Sequence, residues 1–426
     1  YTMKNKKLFH KFAFIAVMFA ATPAFSQSLP APRQEKLLNG LKVLMWSDAK
    51  ASNVSVKIRI HAGSAFDPQG REGVMQMLAD NIFPTEATRD FFKEDLAGGL
   101  EIVTTYDYIQ INASSKPESF LTMLETLSAA VSNPAIDAET TARLRTALLT
   151  KVTALESDTS YVADQAVAKR LFGTFPYGRP QLGTSESLKK IIFPDLIDAK
   201  SRFLSADNAT ITISGNFDSN LGYRAVRRLF GSWLKSDKRV PSTFRRPDDP
   251  PTALQTIASP NPDAAAIRYA VRGSARGDKD FARSLVFTAI IESRLKARAG
   301  SGDASNVFVQ NEQYVLPGEI TIGFNVPGKT PLNSNGKLEA TDVIMKILSD
   351  PITDAEFQAA RSAKAAAWAG RSRELFWLDA DTFKTADVNS DYNAFDSVTL
   401  ADVATYAEKV RKTPYALVLV NTPSTK

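Results

Sequence analysis

The sequence repeats itself, and this repetition constrains the fold more than any other feature. Pro134 begins the pattern Pro-x-x-Asp-Ala-Glu directly after an apolar segment with helical periodicity, and Pro351 begins the same pattern 217 positions later. A strand-like run leads to Gly-Ser-Ala twice, at Gly63 and at Gly273, an offset of 210 positions. Each half also closes with a helical segment and a β-rich run. Matches in the same order at similar offsets predict two homologous domains.

A linker separates the two copies. Residues 236–251 are charged, rich in proline and without hydrophobic period, as linkers are. The repeat therefore predicts one domain over residues 36–235 and a second over residues 252–426. In each copy the order strand, helix, strands, long helices, strand predicts an α+β fold, with helices packed on a mainly antiparallel sheet. Alternation from Ile102 to Gln110 predicts one half-solvated strand of the first sheet.

Residues 3–26 have the pattern of a secretory signal peptide. Four lysines form a basic region, an apolar run extends from Phe12 to Ala21, and the small-x-small tripeptide that ends at Ser26 provides a cleavage signal. The apolar run is too short to span a bilayer, so we expect no stable membrane insertion after cleavage. The chain has no cysteine, so no disulfide can stabilise it, and export without cysteine fits the periplasm of a Gram-negative bacterium.

Charge and histidine content exclude several classes of function. The formal net charge is +6, and the signal peptide contributes four of these charges. The mature chain therefore has a net charge of about +2, which gives no support to a nucleic-acid-binding function. The chain has two histidines, His10 in the signal peptide and His61 in a strand. One histidine in the mature protein cannot form an H-x-x-E-H zinc motif, and a structural role in the strand is expected for it. A Ser-x-x-Lys pair such as Ser187 and Lys190 leaves an unorthodox hydrolase open.

Four segments, taken in order, resemble the pitrilysin/insulinase family of zinc peptidases. They are the first strand from Leu38, the glycine-rich stretch from Gly70 to Gly73, the Tyr-Gly-Arg-Pro-x-Leu-Gly-Thr segment from Tyr177, and the closing strand from Asn208. The small bacterial members and the mitochondrial processing peptidase subunits of that family are also duplicated α+β halves. The resemblance covers nearly the whole mature chain and implies the same fold.

The resemblance also implies a degenerate zinc site. In active members, two histidines one helical turn apart bind zinc, the glutamate between them acts as base, and a glutamate of a later helix is the third ligand. Here Gln76 and Asp80 stand at the histidine positions, Ala79 at the base position and Lys151 at the position of the third ligand. We therefore expect no metal and no catalytic residue in this chain. The cluster is either a relic in which an Asp80–Lys151 ion pair replaces the metal, or part of a cleft that binds peptide by strand addition.

Some family members work as unequal pairs, in which one subunit binds zinc and the other supplies an Arg-x6-Tyr pair that holds the substrate carbonyl. In this sequence the arginine is kept as Arg298, and Ser305 takes the tyrosine position. The resemblance thus implies a substrate-binding role for these two positions. The alternative is that Arg298 complements the C-terminus of its own helix.

These observations favour a non-catalytic, peptide-binding partner subunit of a periplasmic zinc metallopeptidase, similar to the non-catalytic subunits of bacterial processing-peptidase-like heterodimers. Zinc is then expected only in the partner, a chain with H-x-x-E-H, although pairing with a second copy of this chain is open. The alternative is a stand-alone peptide-binding or scaffold protein derived from an inactive peptidase.

Overall fold

The computed structural model describes residues 28–236, 244–303, 306–328 and 339–422. The expected signal peptide and its His10 lie outside these ranges, as does Ser305. Within the described ranges no helix combines the length and the apolar composition needed to cross a membrane.

The first half of the chain forms a six-stranded sheet with helices packed on it. The strand order is β1-β2-β6-β3-β5-β4, in which β2 and β6 are parallel and the other neighbours are antiparallel. The strands are β1 (Arg33–Lys36), β2 (Lys42–Ser47), β3 (Val54–Ile60), β4 (Gly99–Thr104), β5 (Ile109–Ser115) and β6 (Ala209–Gly215). The helices are α1 (Val74–Ile82), α2 (Glu86–Glu94), α3 (Phe120–Ser132), α4 (Ala138–Glu156), α5 (Thr159–Phe172), α6 (Ser185–Lys190), α7 (Phe193–Phe203) and α8 (Ser219–Phe230).

The second half repeats this arrangement on a five-stranded sheet. Its order is β7-β11-β8-β10-β9, again with one parallel pair, β7 and β11, followed by three antiparallel pairings. The strands are β7 (Gln255–Ala258), β8 (Ala264–Arg272), β9 (Val307–Glu312), β10 (Glu319–Pro327) and β11 (Tyr415–Asn421). The helices are α9 (Phe281–Asp303), α10 (Glu339–Ser349), α11 (Asp354–Ala369), α12 (Arg373–Phe383), α13 (Val388–Tyr392) and α14 (Leu400–Lys412). The predicted α+β class is confirmed, and one parallel pair per sheet makes both sheets mixed.

The repeated Pro-x-x-Asp-Ala-Glu pattern marks the start of a long helix in both halves. In the first half the Asp137 carboxylate accepts a hydrogen bond from the backbone N–H of Thr140 at 2.7 Å and caps α4. In the second half Thr353 caps α11, and Glu356 completes a reciprocal capping box with it. The shared sequence thus begins equivalent helices, although the capping residue differs by one position.

The prediction of one strand from Ile102 to Gln110 is wrong, because the chain reverses within that segment. Strand β4 ends at Thr104 and β5 begins at Ile109. The Thr105 hydroxyl accepts hydrogen bonds from the backbone N–H groups of Asp107 and Tyr108, at 3.2 and 3.1 Å, and closes the turn. Both strands of a hairpin alternate with period two, so the pattern alone does not show the reversal.

Each half places one helix on the sheet of the other half. Helix α5 packs against β8 and β11, and helix α12 packs against β6. The face that receives α5 is lined by three fully buried alanines, Ala266, Ala270 and Ala416, together with Val418. Because alanine has a small side chain, the helix backbone can approach this sheet closely.

Candidate functional site

Helix α1, which carries the degenerate zinc motif, has a tightly defined start. Gly73 precedes it with φ 104°, a left-handed conformation that favours glycine. The buried Asp67 carboxylate accepts hydrogen bonds from the backbone N–H groups of Gly73 (2.8 Å) and Met75 (2.7 Å). Burial raises the pKa of Asp67 to about 7, and the two hydrogen bonds and the Arg179 guanidinium oppose this rise. Asp67 thus satisfies helix N-terminal donors from outside the helix.

The segment from Tyr177 to Thr184 packs on this start of α1. The Arg179 guanidinium donates to the carbonyl oxygens of Asp67 (2.8 Å) and Ala65 (3.2 Å). The hydroxyl of Ser187, the third residue of α6, donates to the carbonyl oxygen of Glu72 at 2.9 Å. Arg179 also forms an ion pair with Glu72 at 3.8 Å, so two of the segments that carry the family resemblance are in direct contact at the start of α1.

The four degenerate motif positions lie on α1 and α4, which pack against each other. Gln76 Nε2 donates to Asp80 Oδ1 at 2.9 Å, so the two side chains at the expected histidine positions bind each other. Ala79 is completely buried in the core of the first half. Lys151 on α4 is exposed.

Burial is the largest influence on Asp80 and raises the pKa of its carboxyl group, while the hydrogen bond from Gln76 and the charges of Lys151 and Arg89 oppose it. The ion pairs formed among the described residues do not include one between Asp80 and Lys151; the lysine acts on the carboxylate only at longer range. The expectation that this ion pair replaces the metal is therefore wrong. The Asp80 carboxylate is instead hydrogen-bonded to the Gln76 side chain.

The side chains at this site do not fit a zinc ion. Zinc sites use imidazole, thiolate and carboxylate ligands, whereas this site offers one amide, one carboxylate and one ammonium cation. In the part of the chain that the structure describes, no group of three or more histidine, aspartate or glutamate side chains is arranged to hold a metal.

Arg298 lies on α9 in the second half, beside a cavity of about 440 Å³ that Leu295 and Phe324 also line. Its guanidinium forms an ion pair with Asp350 at 3.2 Å, and both side chains are about two-fifths exposed. One side of the guanidinium thus binds Asp350, and the other side is accessible to solvent. Ser305 lies outside the described residues, so the second position of the expected pair has no structural description.

His61 lies at the contact between the two halves. Its Nδ1 is 3.0 Å from Thr382 Oγ1 on α12, and its Nε2 is 3.0 Å from Thr210 Oγ1 on β6. Burial, with smaller contributions from nearby cations, lowers the pKa of His61 to about 3, against the attraction of Asp381. The ring is therefore neutral near pH 7, and both its nitrogens have hydroxyl partners, as a structural histidine requires.

Sequence reasoning missed a buried charge network next to His61. Arg59 on β3 pairs with Asp379 on α12 at 2.7 Å. Arg371 and Arg276 lie 2.7 and 3.6 Å from the same carboxylate. Burial opposes ionisation of Asp379, but the three guanidinium groups hold its pKa below the usual value. The sequence feature that could have indicated this network is Arg59, a charged residue inside a strand-like run.

Two models of one peptidase family match this chain. Residues 42–185 match the model described as "Insulinase (Peptidase family M16)", and residues 190–364 match the model described as "Peptidase M16 inactive domain".

Curated relatives match at low identity. The chain is 23% identical over 305 residues to a probable mitochondrial-processing peptidase subunit beta of Arabidopsis thaliana, covering 70% of this chain and 57% of that protein. It is 22% identical over 208 residues to an uncharacterized zinc protease of Rickettsia bellii, covering 48% of this chain and 50% of that protein. The matches span about half the length of these relatives.

Solved structures share the fold over nearly the whole chain. The peptidase M16 inactive domain from Pseudomonas fluorescens superposes with a TM-score of 0.80 at 17% identity, covering 93% of this chain and 99% of the other. The periplasmic protease PqqL from Escherichia coli superposes with a TM-score of 0.67 at 14% identity, covering 93% of this chain and 48% of PqqL. With both family models matched in order along one duplicated fold, the chain belongs to the insulinase (M16) peptidase family and has the N-terminal domain and the inactive-type C-terminal domain of that family.

Proposed function

We propose that this chain is a non-catalytic, peptide-binding subunit of an exported zinc metallopeptidase, and that a partner chain with H-x-x-E-H supplies the zinc and the base. The observation that carries this proposal is the chemistry of the α1–α4 site. Gln76 and Asp80 bind each other, Ala79 has no proton acceptor, and Lys151 brings a positive charge where a dication would sit. Such a site retains the family's scaffold without its catalytic groups.

The partner role draws support from the relatives. The Arabidopsis protein is named as a subunit, and PqqL is described as periplasmic, in keeping with the secretory pattern of residues 3–26. In such a pair, Arg298 in the second half of this chain would contribute to substrate binding. Its partly exposed guanidinium is paired on one side with Asp350, and the open side is available to a substrate carbonyl at the partner's zinc site.

The metal content of the purified chain tests the first part of the proposal. We expect far less than one zinc per chain and no chelator-sensitive cleavage of a quenched fluorescent peptide library. The triple variant Gln76→His, Asp80→His and Lys151→Glu rebuilds a ligand set and is expected to bind about one zinc per chain. Its matched control carries the same three kinds of change at exposed positions on three separate helices, Gln358→His on α11, Asp90→His on α2 and Lys346→Glu on α10, and should gain no zinc.

Mixing experiments test the partner role. The H-x-x-E-H chains encoded in the same genome are expressed singly and combined with this chain. We expect one of them to form a stable complex and to cleave peptides only in the mixture, with a lower kcat after Arg298→Ala. Stoichiometric zinc and chelator-sensitive cleavage by this chain alone would overturn the proposal, and failure of every such chain to form a complex would refute the partner role.

A further inference from the structure

A cavity of about 690 Å³ lies where the two halves of the chain meet the segment 244–251. Its walls come from the end of α5, this segment, the end of β8, the β9–β10 loop and the end of α14. The volume is that of a typical small-molecule site, and such sites occur preferentially at domain junctions. The cavity is separate from the α1–α4 site and from the Arg298 cavity.

One side of this cavity is aromatic. The rings of Phe172 and Phe175 are stacked with centroids 5.9 Å apart, and Phe244 meets Phe175 edge-on at 5.9 Å. Leu316 and Pro414 extend the apolar surface. An apolar group that enters the cavity would exchange water for these side chains, which favours binding in proportion to the apolar area removed from water.

The acidic residues of the cavity wall are already engaged. Asp249 forms an ion pair with Arg272. Asp278 accepts a hydrogen bond from the backbone N–H of Ala275 at 3.0 Å. Asp249 is therefore neutralised by Arg272, whereas Asp278 keeps its negative charge and, among the described residues, forms no ion pair with a cation of the wall. The wall still carries four cations, Arg246, Arg272, Lys409 and Lys412, against these two carboxylates.

Two of those cations form no ion pair within the described residues. Arg246 and Lys412 both line the cavity and are exposed. Within the described residues, the side chain of neither forms a hydrogen bond or an ion pair, whereas the neighbouring Lys409 is paired with Asp280 at 2.8 Å. The cavity thus combines an apolar interior with an unbalanced positive rim.

We propose that this cavity binds an amphipathic carboxylate, a molecule with an apolar body and one terminal carboxylate. The apolar body packs on the three phenylalanine rings, and the carboxylate faces Arg246 and Lys412. Two sources share this chemistry: a free medium-chain carboxylic acid, and the C-terminus of a peptide whose last side chain is large and apolar. The inference does not depend on the peptidase-subunit proposal, because none of these residues belongs to the degenerate zinc site.

Titration calorimetry on the full chain tests the proposal with three probes. Decanoate represents the free acid, N-acetyl-Ala-Ala-Phe represents the peptide C-terminus, and 1-decanol is the neutral control. We expect at least one carboxylate to bind and to raise the Tm, and 1-decanol to bind at least tenfold more weakly. The probe that binds more tightly, decanoate or N-acetyl-Ala-Ala-Phe, shows whether the ligand is a free acid or a peptide C-terminus.

Variants of the rim and the interior locate the site. Arg246→Glu with Lys412→Glu is expected to weaken carboxylate binding at least tenfold, and Leu316→Trp, which fills the cavity, to abolish it. Lys50→Glu is the matched control, since Lys50 is equally exposed but lies in the turn after β2, and it should bind as the unchanged chain does. Because the rim residues are exposed, their variants should keep the Tm of the unliganded chain. Binding of neither carboxylate, equal binding of 1-decanol, or unchanged affinity in the rim variant would overturn the proposal.

Discussion

Two buried arginines join the halves of the molecule, and they lie on corresponding strands of the two sheets, β3 and β8. Arg59 and Arg268 have side chains that are 1% and 0% exposed. Arg59 pairs with Asp379 on α12, and Arg268 pairs with Asp164 on α5, so each sheet binds a carboxylate on the helix that the other half contributes. The environments differ, because the Asp379 side chain is 5% exposed and the Asp164 side chain is 40% exposed.

Removing one of these carboxylates is predicted to destabilise the protein in proportion to its burial. Asp379→Asn leaves the buried Arg59 guanidinium without its counter-charge and should lower the free energy of unfolding by about 3–5 kcal/mol. Asp164→Asn is the matched comparison and should cost less than half as much, because the site is open to water and Arg268 keeps Ser160 and Asn325 as acceptors. Urea unfolding followed by circular dichroism measures both, and equal losses would refute this reasoning.

The sequence alone indicated neither ion pair. A charged residue inside a strand-like run shows that something must neutralise it, but the partners of Arg59 and Arg268 lie 320 and 104 positions away. The contact within the degenerate motif was easier to predict from sequence, because Gln76 and Asp80 are one turn apart on a helix and their hydrogen bond follows from that spacing. The position of Lys151 relative to Asp80 depends on how α1 and α4 pack, and the ion pair expected there is not formed.

At the scale of elements, the start of α1 depends on a glycine that another segment contributes. Gly183 has φ +79°, and a Cβ at this position would lie 2.1 Å from the carbonyl oxygen of Glu72. Gly70 has nearly the same φ, +77°, but a Cβ there would meet no atom within 4 Å. The two glycines therefore separate the cost of backbone conformation from the cost of a steric overlap.

We predict that Gly183→Ala is clearly more destabilising than Gly70→Ala. The Gly70 variant should lose only the conformational preference, about 1–2 kcal/mol. The Gly183 variant carries the same cost and must also displace the Glu72 backbone at the start of α1, so a total loss of roughly 3 kcal/mol or more is expected. Thermal unfolding of both variants gives the comparison, and indistinguishable Tm values would show that the two segments are not in contact as described.

The elements themselves were largely predictable, because periodicity and capping are local properties. The repeated Pro-x-x-Asp-Ala-Glu pattern marked two helix starts, and the runs before Gly63 and Gly273 are strands β3 and β8. The failure between Ile102 and Gln110 arose because a hairpin turn closed by Thr105 leaves the alternation intact. Alternation reports which face a side chain occupies and not the direction of the chain.

At the scale of the whole molecule, the duplication predicted two similar halves but not their exchange of helices. Helices α5 and α12 directly follow α4 and α11 along the chain, and their own sequences do not show which sheet they cover. The buried alanines of β8 and β11 become informative only when α5 is seen to lie on them. Because each half covers the other, we expect the halves to hold a fixed relative position.

An engineered disulfide tests that relative position, and the absence of native cysteines makes the result unambiguous. The hydroxyl oxygens of Thr159, at the start of α5, and of Ser259, after β7, are 2.8 Å apart, so their Cβ atoms are no more than about 5.6 Å apart, and a modest backbone shift brings them to the spacing that a disulfide needs. The double variant Thr159→Cys with Ser259→Cys should oxidise readily under mild conditions.

The oxidised form closes a loop of about 100 residues and should be more stable than its reduced form by up to about 4 kcal/mol, since the cross-link restricts the unfolded chain. Denaturant unfolding of the double variant with and without reductant measures this difference, and the two single-cysteine variants control for the substitutions themselves. If α5 covers its own sheet instead of the other one, the two thiols are far apart, and oxidation then produces no intramolecular disulfide and no gain in stability.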